Sequence, residues 1–212
     1  MRIVLVTVAT MLSLAAAPQH GRLFPPEDLG ILEGPDRDAW QRPDAVMDAL
    51  GIGEGSFVAD LGAGGGWFTV RLAYRVRPNG WVYAEDIQPQ MIEAITRRVQ
   101  REQLDNVTAI LGKSTDPRLP RPVDAVLIVD AYSEMDKPVP LLRNVAASLK
   151  PQGRVGIVNF KKDGYGPGPV MEERVDPERV IQDAAAAGLQ LLDRPGFLRY
   201  QYMLVFGKSA PK

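Results

Sequence analysis

The stretch VADLGAGGGWFTVRLA, residues 58–73, places four glycines within five positions directly after an apolar run. Residues 57–61 have the length and composition of a buried strand, and Phe68, Leu72 and Val76 recur every four residues beyond the glycines. The pattern predicts a strand, a glycine loop and a helix. Glycine is required where the backbone takes φ > 0 or lies close against a ligand. A dinucleotide fingerprint G-x-G-x-x-G begun at Gly62 needs glycine at position 67, where this chain has Trp67. The loop alone therefore indicates only a nucleotide-like ligand.

The same alternation extends outward in both directions. Upstream, Asp44 reads as a helix cap before Val46, Met47 and Leu50, with Gly51 ending the element. Downstream, residues 81–84 form a second strand, and Met91, Ile92, Ile95 and Val99 share one face of a helix starting near Pro89. Residues 107–111 and 125–129 are strands, the latter continuously apolar as expected for a parallel strand covered on both faces. Leu141, Leu142, Val145 and Leu149 mark the next helix, residues 155–160 the fifth strand, and Asp176 caps a helix that runs from Pro177 to Gly188. The tail LQLLDRPGFLRYQYMLVFGK, residues 189–208, reads as two strands around a Pro-Gly turn. The fold class is α/β: a Rossmann-like doubly wound sheet of seven strands, mostly parallel, with a C-terminal antiparallel hairpin.

Composition removes several function classes. With 212 residues, one domain is expected. A net charge of −1 gives no electrostatic case for nucleic acid as a partner. The absence of cysteine excludes disulfides, thiolate metal sites and cysteine nucleophiles, and the one histidine, His20, lies in a polar stretch where a solvated role is expected.

The first residues, MRIVLVTVATMLSLAAAPQH, combine one basic residue with an apolar run. At about fifteen residues and ~1.5 Å per residue the run is short for a ~30 Å bilayer core. It reads as an export signal. Ala15 and Ala17 form a small-residue cleavage pattern, while Pro18 opposes cleavage, so a short membrane anchor is the other reading. The expected location is exported (periplasmic) or anchored to an inner membrane through residues 1–17, with a cytoplasmic protein as the alternative.

Asp86 lies in VYAEDIQPQMI, about 20 residues past the glycine loop at the end of the second strand, where a carboxylate can accept both ribose hydroxyls. Through VADLGAGGGWFT, VYAEDIQPQM, LGKSTDPRLP and LKPQGRVGIV, the chain from about Trp40 onward resembles the class I S-adenosylmethionine-dependent methyltransferases, in particular the type 11 and ubiquinone-biosynthesis-like group. The resemblance implies S-adenosylmethionine as cofactor and a division into residues 1–20 (signal or anchor), 21–35 (extended lead-in) and 36–212 (methyltransferase domain). It implies that Gly62 and Gly64 lie along the methionine part of the cofactor, that Asp60 orients its ammonium group, that Asp86 holds the ribose and that Ile87 flanks the adenine. Asp116 matches the position that caps the adenine amino group, although Lys113 stands where relatives often carry an acid. The bland alternatives are a helix N-cap for Asp86 and a turn residue before proline for Asp116.

Methyl transfer is an in-line displacement, so the protein contributes mainly alignment, and a base is needed only where the nucleophile must lose a proton. VDAYSEMD follows the fourth strand at the edge where open α/β sheets bind ligands. Asp130, Tyr132 and Glu134 are therefore expected at the acceptor, with helix capping as the other reading for the two acids. The Asp-Ala-Tyr sequence lacks the Asp/Asn-Pro-Pro-aromatic motif of amino-methylating relatives. Asp130 and Asn159 fall short of a magnesium site, so no metal is expected. KKDGYGPGP, residues 161–169, reads as a lid or a solvated loop carrying Lys161, Lys162 and Tyr165. Trp40 either roofs the site or packs on the first helix. The acceptor is expected to be a small molecule. A protein-modifying methyltransferase, a catalytically silent cofactor-binding module and a nicotinamide-dependent dehydrogenase are the alternatives.

Overall fold

A computed structural model describes residues 23–209. The export-type run lies outside these residues. Seven strands form one sheet: β1 (Phe57–Leu61), β2 (Trp81–Asp86), β3 (Val107–Leu111), β4 (Val123–Val129), β5 (Leu149–Phe160), β6 (Leu189–Asp193) and β7 (Gln201–Lys208), in the order β3-β2-β1-β4-β5-β7-β6. β3 through β5 pair in parallel, while β7 is antiparallel to both β5 and β6. This is the doubly wound arrangement expected from the alternation, and the order reverses between β1 and β4. A ligand crevice opens at such a reversal.

Among the described residues six α-helices accompany the sheet: α1 (Arg37–Gln41), α2 (Pro43–Ala49), α3 (Trp67–Val76), α4 (Pro89–Arg101), α5 (Pro138–Ser148) and α6 (Pro177–Ala186). The predicted four-residue spacing is realised in α3, whose Phe68, Leu72 and Val76 are buried together with Val46 and Met47 of α2 and Val58, Val82 and Leu127 of the sheet. Leu142, Val145, Val180 and Ala184 of α5 and α6 fill the opposite face with Val126, Ile128, Ile157 and Phe206. Each face therefore has its own apolar layer, which holds the strand ends between them rigid.

Three local expectations are corrected. Helix α2 begins at Pro43 after Arg42 in a left-handed conformation (φ 49°), so Asp44 sits in its first turn and does not cap it. Proline supplies a fixed φ and lacks the N–H a cap would satisfy. The lead-in is also not extended: Pro26–Glu33 winds as a 3-10 helix. β5 begins at Leu149 rather than 155, lengthened past a shift in its register with β4. The Asp176 cap does form, its carboxylate accepting from the Glu178 N–H.

Candidate active site

The glycine loop leaves β1 at Leu61 and enters α3 at Trp67. Gly62 has φ 68°, and a Cβ there would collide with the Cβ of Ala131 at the end of β4. Gly64 has φ 55°. Both positions need glycine for backbone reasons. The loop is tied to β2 by the Ala63 N–H donating to the Glu85 carbonyl (2.9 Å).

Asp86 closes the other side. Its Oδ2 accepts from the Gly64 N–H (3.1 Å) and its Oδ1 from the Gln88 N–H (3.0 Å). The residue that caps α4 is Gln88, so the carboxylate is no N-cap but a bridge between the two loops. Each oxygen can accept further hydrogen bonds beyond these. Ile87 is exposed beside it. Asp60 is buried, accepts from the Thr69 hydroxyl (2.6 Å), and is pushed up to about 6 by burial.

Asp130 takes the left-handed region (φ 57°), where a non-glycine residue is strained and marks a constrained site. Gln201 Nε2 donates to both of its oxygens at 2.8 Å. The Gln201 Oε1 accepts from Gln41 Nε2 (2.6 Å), and Gln41 Oε1 accepts from Arg37 Nε (3.0 Å). Every bond in this chain points toward the carboxylate. Burial still pushes Asp130 up to about 7, against the Arg37 charge. Arg37 itself lies over the Trp67 ring, 4.2 Å from its centroid, and burial lowers its pKa.

Glu134 accepts from the Phe24 N–H (2.8 Å), and Gln88 Nε2 donates to the Phe24 carbonyl (3.1 Å). One residue of the lead-in, Phe24, thus ties the segment after β4 to the segment after β2 through its N–H and its carbonyl. Burial raises Glu134 to about 7. Neither Asp130 nor Glu134 caps α5, whose N-cap is Lys137.

Tyr132 is corrected. It is buried, and its hydroxyl donates to Asp183 Oδ2 of α6 (2.8 Å) within the helix-covered face, so it does not reach the crevice. Tyr132→Phe should lower stability by about 1 kcal/mol through that lost bond while leaving cofactor affinity unchanged. Thermal unfolding and calorimetry of the variant check both halves.

Asp116 sits exposed in a turn, bridged through its backbone to Lys113, with its Oδ1 accepting from the Arg118 N–H (2.8 Å). Lys161 is engaged in structure, its Nζ donating to the Leu198 and Arg199 carbonyls (2.9 and 3.0 Å), while Lys162 and Tyr165 are exposed. Trp40 packs on Phe160 (5.8 Å between centroids) and Tyr200 (6.5 Å). Sequence reading missed Arg37, Gln41, Gln201 and Glu85. Glu85 is buried above Gly112, beside Asp86 and Asp60, and is raised to about 8, first by burial and then by the Asp86 charge.

Residues 58–153 match a family model described as a methyltransferase domain. A protein-L-isoaspartate O-methyltransferase of Methanothrix thermoacetophila is 33% identical over 113 residues, 53% of this chain and 51% of that protein. A ubiquinone/menaquinone biosynthesis C-methyltransferase of Pasteurella multocida is 31% identical over 130 residues, 58% of this chain and 46% of that protein. The chain spans about half the length of the curated relatives it matches. Among solved structures, a SAM-dependent methyltransferase from Aquifex aeolicus superposes with a TM-score of 0.81 at 26% identity, covering 87% of this chain and 98% of that one.

Proposed function

We propose that this chain, which carries a methyltransferase domain on the fold of the class I S-adenosylmethionine-dependent enzymes, binds S-adenosylmethionine and methylates a small-molecule acceptor. The observation that carries the reading is the Asp86 carboxylate, fixed by Gly64 and Gln88 at the mouth of a crevice floored by the positive-φ glycines. When bound, the cofactor supplies a methyl group on a sulfonium, whose displacement leaves a neutral thioether. Asp86 would hold the ribose hydroxyls and Ile87 would flank the adenine, with Asp116 near its amino group. Gly62 and Gly64 would lie against the methionine portion, and Asp60 would face its ammonium group. Asp130 and Glu134 stand at the acceptor side. Both are raised toward neutrality, which suits a carboxylate that takes up a proton at physiological pH.

Calorimetry with S-adenosylmethionine and, separately, NAD tests the cofactor. Heat with NAD alone would favour a dehydrogenase and reject the reading. Two of the matched relatives carry names with different acceptors, protein isoaspartate and a quinone precursor. Incubation with methyl-labelled cofactor and a fractionated lysate should put label into the small-molecule fraction. Label in protein would make this a protein methyltransferase, and tight cofactor binding with no label transfer would make it a binding module.

Export or membrane anchoring through residues 1–17 is proposed on their basic start and apolar run. A fusion of residues 1–30 to a reporter active only outside the cytoplasm should give signal, and a silent fusion would reject it. Among the described residues no helix is long and apolar enough to cross a membrane.

A further inference from the structure

The hydrogen bonds that lead from Arg37 to Asp130 pass through two glutamines that solvent barely reaches. Gln41 is fully buried and Gln201 is 1% exposed. At one end Arg37 Nε donates to Gln41 Oε1, in the middle Gln41 Nε2 donates to Gln201 Oε1, and at the other end Gln201 Nε2 donates to both Asp130 oxygens. The Asp130 backbone is itself fixed, its N–H donating to the Val158 carbonyl (2.8 Å).

The direction of this chain follows from the chemistry of its first member. A guanidinium carries N–H donors and no acceptor, whereas a primary amide offers both and can turn either way. Arg37 is held over the Trp67 ring and donates a second bond, from Nη1, to the Leu32 carbonyl (2.5 Å). Gln41 must therefore meet it with Oε1. That aims Gln41 Nε2 at Gln201, obliges Gln201 to answer with Oε1, and leaves Gln201 Nε2 facing Asp130. Turning over one amide or both sets two donors against each other somewhere along the line, and a buried donor left unmade is unfavourable by about 1–3 kcal/mol.

A carboxylate accepts at both oxygens, while a neutral acid must place its own proton on one of them. A chain that arrives donor-first therefore favours the charged form. Burial is the largest influence on Asp130 and raises it; the Arg37 charge and then the Gln201 hydrogen bond oppose burial, Glu134 adds to it, and Arg174 opposes it more weakly. Tyr202 of β7 also lies within electrostatic reach.

We propose that Arg37, Gln41 and Gln201 are positioning residues: the donor-only guanidinium fixes the sense of both amides and so keeps Asp130 a proton acceptor from two side chains away. Use of Asp130 as the base of methyl transfer rests on the methyl-transfer reading; the relay itself does not.

Carbon-13 NMR of the Asp130 carboxyl in the full chain, the resonance identified by its loss in Asp130→Asn, follows the titration. Gln41→Met nearly conserves volume, leaves the Arg37 charge in place and alters no direct partner of Asp130. It should move the midpoint up by about one pH unit, because Gln201 is then free to turn and offer Oε1 to an acid proton. Arg37→Met should move it further, since the charge is lost with the donor. In the unmodified protein the side-chain amide resonances of Gln41 and Gln201 should shift with the same midpoint as Asp130. A folded Gln41→Met with an unmoved midpoint, or Gln41 amide resonances that stay still while Asp130 titrates, would overturn the proposal. A moved midpoint in a protein that binds no S-adenosylmethionine would keep the relay and reject its part in methyl transfer. Cofactor binding with an unmoved midpoint would do the reverse.

Discussion

Asp86→Ala will raise the dissociation constant for S-adenosylmethionine by about 10- to 150-fold, the loss expected when hydrogen bonds to a charged group worth ~1.5–3 kcal/mol disappear. The upper part of that range applies if loop order is lost as well. The same carboxylate that would hold the ribose also fixes the Gly64 and Gln88 N–H groups, so alanine removes a ligand contact and loosens both walls of the crevice. Asp86→Asn retains a carbonyl oxygen for one of those N–H groups and should fall between alanine and the unmodified protein. Calorimetry on variants with unchanged unfolding temperature measures this, and unchanged affinity in Asp86→Ala would remove the residue from the site.

Thermal stability without ligand should fall steeply as pH rises from 5 to 8.5. Asp60 and Glu85 are both buried and titrate near 6 and 8, above the ordinary carboxylate range, with burial the first cause in each. Below about pH 3 each is protonated in folded and unfolded chains alike, so neither favours either state. Between there and the folded pKa the unfolded chain releases the proton while the folded protein keeps it. The unfolded state then binds fewer protons, and stability declines with rising pH. Counting only one pKa unit for each of the two gives about 3 kcal/mol, or roughly 6–12 °C in a domain of this size. Glu85→Gln should flatten the part of the profile above pH 7. A melting temperature that rises across this interval would contradict the burial of both carboxyls.

The sheet was legible in the sequence because its signals are local. The apolar run of β4, the four-residue repeat of α3 and the Pro-Gly turn before β7 each report on one element, and their alternation leaves few topologies. The position of Asp86 at the end of β2 was legible for the same reason, since it follows from the distance past the glycine loop. Tyr132 was misplaced because its partner, Asp183, is 51 positions away. Nothing near VDAYSEMD says which face of the sheet a tyrosine in a 3-10 turn will enter. The glutamines that orient Asp130 were invisible for a related reason: a lone glutamine has no periodicity, and Gln41 and Gln201 acquire meaning only when α1 and β7 are brought together.

That glutamine pair also constrains the timing of assembly. Gln41 and Gln201 are 160 positions apart, and β7 inserts between β5 and β6 although it is the last of the three to be made. A chain emerging from the ribosome can pair β1 through β5 early. Until residue 201 arrives, however, β6 has no neighbour and the Asp130 carboxylate has nothing to align it. The nascent protein would therefore carry the Asp130 carboxylate unaligned until β7, the last of the seven strands to be made, slides between β5 and β6.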